Sequence, residues 1–169
     1  MKKLISPVVI ILPAVIIRLL PHPPNMVPIA AMALFGGAYF NKKYALVVPI
    51  FTLFISDLFL GLHNTIPFVY GSFLITGVIG LWLKKHKSVK HIVAGTLLSS
   101  ILFFIITNFG VWLVGNMYTK NFEGLMESYI LAIPFFKNTI LGDLIYTGLF
   151  FGGYEFVLHL TQKHVINFA

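Results

Sequence analysis

The chain has no cysteine, so it carries no disulfide framework, no thiol nucleophile and no cysteine-ligated metal. Charge is scarce: only 10% of its 169 residues are Asp, Glu, Lys or Arg, against about 25% in an ordinary soluble domain. Acids are the scarcest, five against twelve basic residues. No phosphate-loop pattern G-x-x-x-x-G-K-S/T occurs, which excludes ATP binding and hydrolysis by that route, and neither H-E-x-x-H nor G-x-S-x-G is present. What fills the chain instead is apolar. Such residues make up 58% of it and fall in long runs rather than at helical or strand periodicity, which predicts that most of the surface lies in lipid. A soluble enzyme, a nucleic-acid module and a disordered tail are thereby excluded. The net charge of +7 does not point to nucleic acid, because Lys84, Lys85, Lys87 and Lys90 cluster between two apolar runs, as in a cytoplasmic loop facing anionic lipid.

The expected fold is an all-α membrane protein, one transmembrane domain over residues 1–169, with about six spanning helices of roughly 20 residues or somewhat fewer. The runs are Leu4 to Leu20, Met26 to Phe40, Tyr44 to Leu60, Pro67 to Leu83, His91 to Val114 and Asn138 to Leu160. The second is short and contains Gly36 and Gly37, which predicts a helix packed inside the bundle. Lys2 and Lys3 precede the first run, but Arg18, Leu19, Leu20, Pro21 and His22 near its end offer no small-residue cleavage site, so it reads as a retained span. With both termini in the cytoplasm, Lys2, Lys3, Lys42, Lys43, Lys84, Lys85, Lys87, Lys90 and Lys163 are inside and Arg18, Lys120 and Lys137 outside, in accord with the positive-inside rule. The expected location is a bacterial inner membrane. In the outer connection from Gly115 to Lys137, residues Glu123 to Ile133 read as a surface helix before Pro134 turns the chain back.

The residues that are costly in lipid gather towards the outer side in this topology. Arg18, His22 and Asn25 flank the first outer loop, and His63, Asn64 and Tyr70 the second. Asp57 lies about 20 Å along the third span, near its outer end. Asn108 and Trp112 share a helix face one turn apart, and Asp143 lies inside the last span. Intramembrane acids face a bundle interior and find partners there, so this set predicts a cup open to the outside. The expected ligand residues are Arg18, His22, Asn25, Asp57, His63, Tyr70, Asn108, Trp112, Glu127, Asn138 and Asp143. Acids beside Tyr70, Trp112 and Tyr118 suit a planar heterocycle bearing an amine, held by stacking and charge-assisted hydrogen bonds; a carboxylate held by Arg18 is the alternative. For each residue alone a structural role competes: helix cohesion for Asn108 and Asp143, snorkelling for Lys137, an aromatic belt for Tyr70 and Trp112. His22 and His63 raise a metal reading, yet they lie on different loops with no fixed ligand spacing, and no metal or cofactor is expected. An aspartyl-protease pair of Asp57 and Asp143 is disfavoured. Ile140-Leu141-Gly142-Asp143 lacks the first glycine of that family's G-x-G-D, and Ser56-Asp57 lacks its Tyr-Asp.

From Pro28 to Gly61 the chain runs through a Pro, small residues at Ala30, Ala31 and Ala33, Phe35-Gly36-Gly37-Ala38, a basic turn, a second apolar helix and Ser56-Asp57-Leu58. This succession resembles the substrate-binding S components of energy-coupling factor (ECF) vitamin transporters, six-helix bundles with cytoplasmic termini. The chain is also similar to a bacterial integral-membrane family through Arg18-Leu-Leu-Pro-His22, Asn25, Ala33-Leu-Phe-Gly-Gly-Ala-Tyr39, Ser56-Asp57, Thr107-Asn108-Phe-Gly-Val-Trp112 and Pro134-Phe-Phe-x-Asn138. The S-component resemblance implies a non-enzymatic binder that passes a vitamin or related micronutrient inward with a transmembrane coupling subunit and two ATPases. Outer loops of that family cap the ligand, and an A-x-x-x-A motif on the first helix docks on the coupling subunit. This chain departs there, since its first span has only Ala14; the nearest small-x3-small pair is Ala33 and Gly37 on the second, which becomes the expected docking surface, with packing inside the bundle as its rival role. A self-sufficient secondary transporter or channel is the alternative, followed by an intramembrane enzyme or structural membrane protein. No internal repeat of the kind common in lone transporters is evident.

Overall fold

Small residues decide the centre of the molecule. In the computed structural model, which describes residues 7–40 and 42–166, the segment Ile29–Tyr39 forms an eleven-residue helix, α2, whose positions 29 to 38 are all buried. It lies within a ring of longer helices: α1 (Pro7–Leu19), α3 (Lys42–Leu60), α4 (Ile66–Leu83), α5 (Val89–Val114) and α7 (Ile133–Ile166). A nine-residue helix, α6 (Phe122–Ile130), joins α5 to α7. The expected inward packing of the short second run is thus observed. Lys2, Lys3 and the start of the first expected span lie outside the described residues, as do residues 167–169.

The crossing of α2 with α4 explains the glycines. A Cβ on Gly80 would come within 2.6 Å of the Leu34 carbonyl oxygen and 2.8 Å of that of Ala33, and a Cβ on Gly37 would collide with the backbone of Gly80. The two backbones touch, which only glycine permits. Ala33 and Gly37, expected to present a surface to a partner, are therefore both inside; Ala33 has no exposed area. That expectation is corrected: the small-residue stripe is consumed by the α2–α4 contact, and a partner would have to dock elsewhere.

Around this centre polar side chains are buried among the apolar core while large apolar ones face outward. Interior positions one helical turn apart are polar: Thr52 and Ser56 on α3, Ser72 and Thr76 on α4, Thr96 and Ser100 on α5, and Thr139, Asp143 and Thr147 on α7. Most of these hydroxyls donate to the carbonyl four residues back, as in Thr52 to Val48 (2.9 Å), Thr76 to Ser72 (3.0 Å) and Thr139 to Phe135 (3.0 Å), so burial leaves few of them unpaired. The outward faces carry Val47, Phe51, Phe54 and Leu58 on α3, Leu98, Ile101, Ile105 and Phe109 on α5, and Leu141, Ile145 and Leu149 on α7. Two helices, α4 and α5, are long and apolar enough to cross a membrane.

The helix ends follow local chemistry. Ser88 caps α5 by accepting from the His91 amide, and Asn121 caps α6 by accepting from Gly124 N–H at 2.9 Å. The last helix starts at Ile133, so Pro134 sits in its first turn rather than in the preceding turn. Proline is tolerated there because the first-turn amides have no helical acceptor. The surface helix ends at Ile130, three residues before the expected Ile133.

Candidate functional site

Helix α1 ends where α3 ends and α4 begins, and this brings Arg18, Asp57 and Tyr70 together. An Arg18 guanidinium nitrogen lies 2.7 Å from Asp57 Oδ1, and the Tyr70 hydroxyl donates to Asp57 Oδ2 at 2.7 Å. Arg18 also donates to the Leu53 carbonyl at 3.3 Å and to the Ser56 hydroxyl. Asp57 is only 1% exposed. Three helices are thus tied by one carboxylate whose two oxygens are both engaged, the condition under which a buried charge is tolerated. Ser56 and Asp57 are adjacent in sequence and reach the same guanidinium.

Beside this knot opens a cavity of about 310 Å³. Arg18, His22 and Asn25 line it from the end of α1 and the loop that follows, His63 from the α3–α4 loop, and Thr139 and Asp143 from α7. Its apolar walls include Val69, Phe73 and Phe103, and Ala30 of α2 contributes to the lining. The Phe73 and Phe103 rings lie 5.1 Å apart at 40°. The histidine rings are oriented by local bonds, His22 Nδ1 lying 2.7 Å from the Leu20 carbonyl and His63 Nδ1 2.7 Å from the Thr65 hydroxyl.

Asp143 is the second buried acid, and its surroundings differ. The Ser100 hydroxyl donates to its Oδ2 at 2.7 Å, and among the described residues no basic side chain forms an ion pair with it. Thr96 and Thr147 lie 3.3 Å apart one turn away along the same helices. Met26 packs on Gly142, where a Cβ would come within 2.9 Å of the Met26 side chain, so the first loop is seated directly beside this carboxylate. The arrangement provides one guanidinium already neutralised by Asp57, one carboxylate without a cationic partner, two imidazoles and a pair of phenyl rings around one space.

The structure therefore brings Arg18, His22, Asn25, His63 and Asp143 to one cavity, with Asp57 and Tyr70 behind its Arg18 wall. Asn108 is separate. It lines a neighbouring chamber of about 200 Å³ that shares Asn25, Val69, Phe103 and Thr139 with the first, and its amide donates to the Phe104 carbonyl at 2.7 Å. Trp112, Glu127 and Asn138 line neither cavity. The Trp112 indole donates to the Thr119 carbonyl at 3.0 Å, and Lys120 lies over its ring and donates to the Trp112 and Gly115 carbonyls. Trp112 holds the α5–α6 loop, because it sits in the last turn of α5 where the chain folds back. Glu127 is exposed on α6, and Asn138 is half-buried on the first turns of α7. The convergence of Asp57, Asn108, Trp112 and Asp143 on one site is thus corrected, and the aromatic wall is Phe73 with Phe103.

Sequence reasoning did not find Ser100 or the two phenylalanines. Ser99-Ser100 in the middle of an otherwise apolar run was the available signal, since a hydroxyl pair there implies an interior face. Among the described residues no three His, Asp or Glu side chains gather as metal ligands.

The model of DUF6580, a family of unknown function, matches residues 1–165. No curated protein and no solved structure matches the chain.

Proposed function

We propose, for a chain that belongs to the family DUF6580, that it is the substrate-binding subunit of a micronutrient uptake system in a bacterial inner membrane, with about six spans and the cavity open to the outside. The outward surface supports the membrane setting: rows of Val, Leu, Ile and Phe cover the outward faces of α3, α5 and α7 while hydroxyls and two carboxylates are buried among the core, a distribution suited to an apolar medium. The direction of the helices supports the orientation. The basic turns at Lys42–Lys43 and Lys84–Lys90 lie at the opposite ends of α3 and α4 from the cavity, and Lys84 donates to the Phe40 carbonyl at 3.1 Å between them.

The observation that carries the reading is the cavity itself. Its size is at the lower end of small-molecule pockets, and apolar walls with a few convergent polar groups are the usual composition of such sites. Arg18 is neutralised by Asp57, so Asp143 is the acid left to face a ligand. A small molecule with an amine or other cationic group facing Asp143 and Ser100, and an apolar part against the wall formed by Phe73 and Phe103, is the ligand class that fits. His22, Asn25 and His63 would close over it from the loops.

A second reading, a self-sufficient carrier, is favoured by the burial of Ala33 and Gly37, the pair expected to dock a coupling subunit. One set of measurements separates the two. Small molecules that co-purify with the protein should be identified by mass spectrometry and offered to protein reconstituted alone in liposomes. Binding without flux is expected for the subunit. Flux without ATPases would replace it by the carrier, and a protein that retains no small molecule and binds none would remove both.

A further inference from the structure

At the end of the molecule opposite the cavity, α4 and α5 diverge around a groove of about 330 Å³ lined by Val78, Ile79, Trp82, Ala94, Gly95 and Leu98. Every one of these is apolar; Ala94 is exposed and leaves space that a larger residue would fill, while Gly95 lets α5 pack on Ile79 and Leu83 at the floor of the groove. The groove ends at the α4–α5 turn, where Trp82 stacks on His86 with ring centroids 4.5 Å apart and an interplanar angle of 20°, and His91 meets the indole edge-on at 5.4 Å. Both imidazoles are anchored through Nδ1, His86 at 3.1 Å from the Trp82 carbonyl and His91 at 2.7 Å from the Ser88 hydroxyl. Their Nε2 atoms remain to meet a ligand. Of the four lysines of the turn, Lys84 is spent on the Phe40 carbonyl and Lys87 lies 4.0 Å from the Tyr39 ring centre. Lys85 and Lys90 are exposed and flank the histidines.

An apolar slot long enough for part of a hydrocarbon chain thus opens directly beneath two lysines and two imidazoles. We propose that this is a binding site for an anionic phospholipid, with one acyl chain lying along Trp82, Ala94 and Leu98 and its phosphate group held by Lys85, Lys90, His86 and His91. Charge complementarity selects the occupant: a zwitterionic lipid fills the groove equally well but gains less from the basic turn. The sole acid near this end, Glu155, accepts from the Tyr39 hydroxyl at 2.5 Å and leaves the cluster's charge available. The site rests on the membrane reading above and is independent of the cavity and its ligand.

The chain has two tryptophans, so a Trp112→Phe background makes Trp82 the only reporter. Full-length protein in this background should be placed in phosphatidylcholine vesicles containing increasing fractions of either acyl-brominated phosphatidylglycerol or acyl-brominated phosphatidylcholine, and Trp82 quenching followed. Phosphatidylglycerol is expected to quench at a mole fraction at least about fivefold lower than phosphatidylcholine, the scale of one basic side chain at a lipid surface, and about thirtyfold lower if both lysines contribute in full. The Lys85→Gln/Lys90→Gln variant should abolish that preference while both lipids still quench, and Ala94→Phe should reduce quenching by either by filling the groove. Equal quenching by the two lipids, or a preference that survives the double lysine substitution, overturns the lipid site and leaves the membrane reading intact. No quenching by either lipid overturns both.

Discussion

Asp57 and Asp143 are both almost completely buried, 1% and 3% exposed, yet their surroundings differ. Asp57 has an arginine on one oxygen and a tyrosine hydroxyl on the other, from two further helices. Asp143 has one serine hydroxyl and an open cavity. A buried carboxylate with all its partners inside the protein holds helices in place. One whose partners are incomplete is a position where a ligand can complete the set. The difference teaches that depth and residue type leave the role of a buried acid open, and that its partners inside the protein tell one acid from the other.

The comparison breaks first at Arg18. Replacing Arg18 by Met leaves the Asp57 charge buried and unpaired, and should cost about 3–5 kcal/mol in stability, read as a lowered unfolding temperature in detergent. Adding Asp57→Leu should restore most of the loss, since replacing both partners of a buried pair by apolar residues is often neutral. An Arg18→Met protein as stable as the parent would mean that the pair is no strut. At Asp143 the balance should reverse. Asp143→Asn keeps the shape and the Ser100 contact, so the folded protein should be retained, while affinity for the co-purifying small molecule falls by about 1.5–3 kcal/mol, the scale of a hydrogen bond to a charged group; unchanged affinity would move the ligand away from Asp143. The smallest effect is expected outside both sites. Trp112→Ala removes the bond to the Thr119 carbonyl and should lower stability by about 1 kcal/mol without altering affinity. A clear loss of binding there would restore Trp112 to the ligand.

Much of the fold is written in the apolar runs. Each of the six falls on one helix, although α7 begins five residues before the last run and ends six after it, and the shortness and small residues of Met26 to Phe40 already mark a helix with no outward face. The rest depends on azimuth, which a single run does not encode. Asn108 and Trp112 share a face one turn apart, but that face is divided: Asn108 looks towards the second chamber, while Trp112, at the helix end, is taken by the returning loop. Ala33 and Gly37 have the spacing of an adhesive stripe whether the facing helix belongs to this chain or another, and only the position of Gly80 settles which. Arg18 and Asp57 are both visible as costly residues at one end of the molecule. That they pair depends on how α1 crosses α3, over a separation of 39 positions. Pro134 misled for a simpler reason, since the same residue ends one helix and opens another.

The glycine crossing also has a mechanical meaning. Where side chains interlock, helices are held in register by many small steps; where Gly37 meets Gly80, two smooth backbones bear on each other like an axle on its seat. Helix α2 carries Ala30, in the lining of the cavity, in its first turn and is followed at its other end by Phe40, whose carbonyl is gripped by Lys84 beside the basic turn. At eleven residues it is a rod of about 16 Å. A molecule entering the cavity and pressing on Ala30 would press through that rod on the far end, because a close-packed interior passes on strain rather than absorbing it.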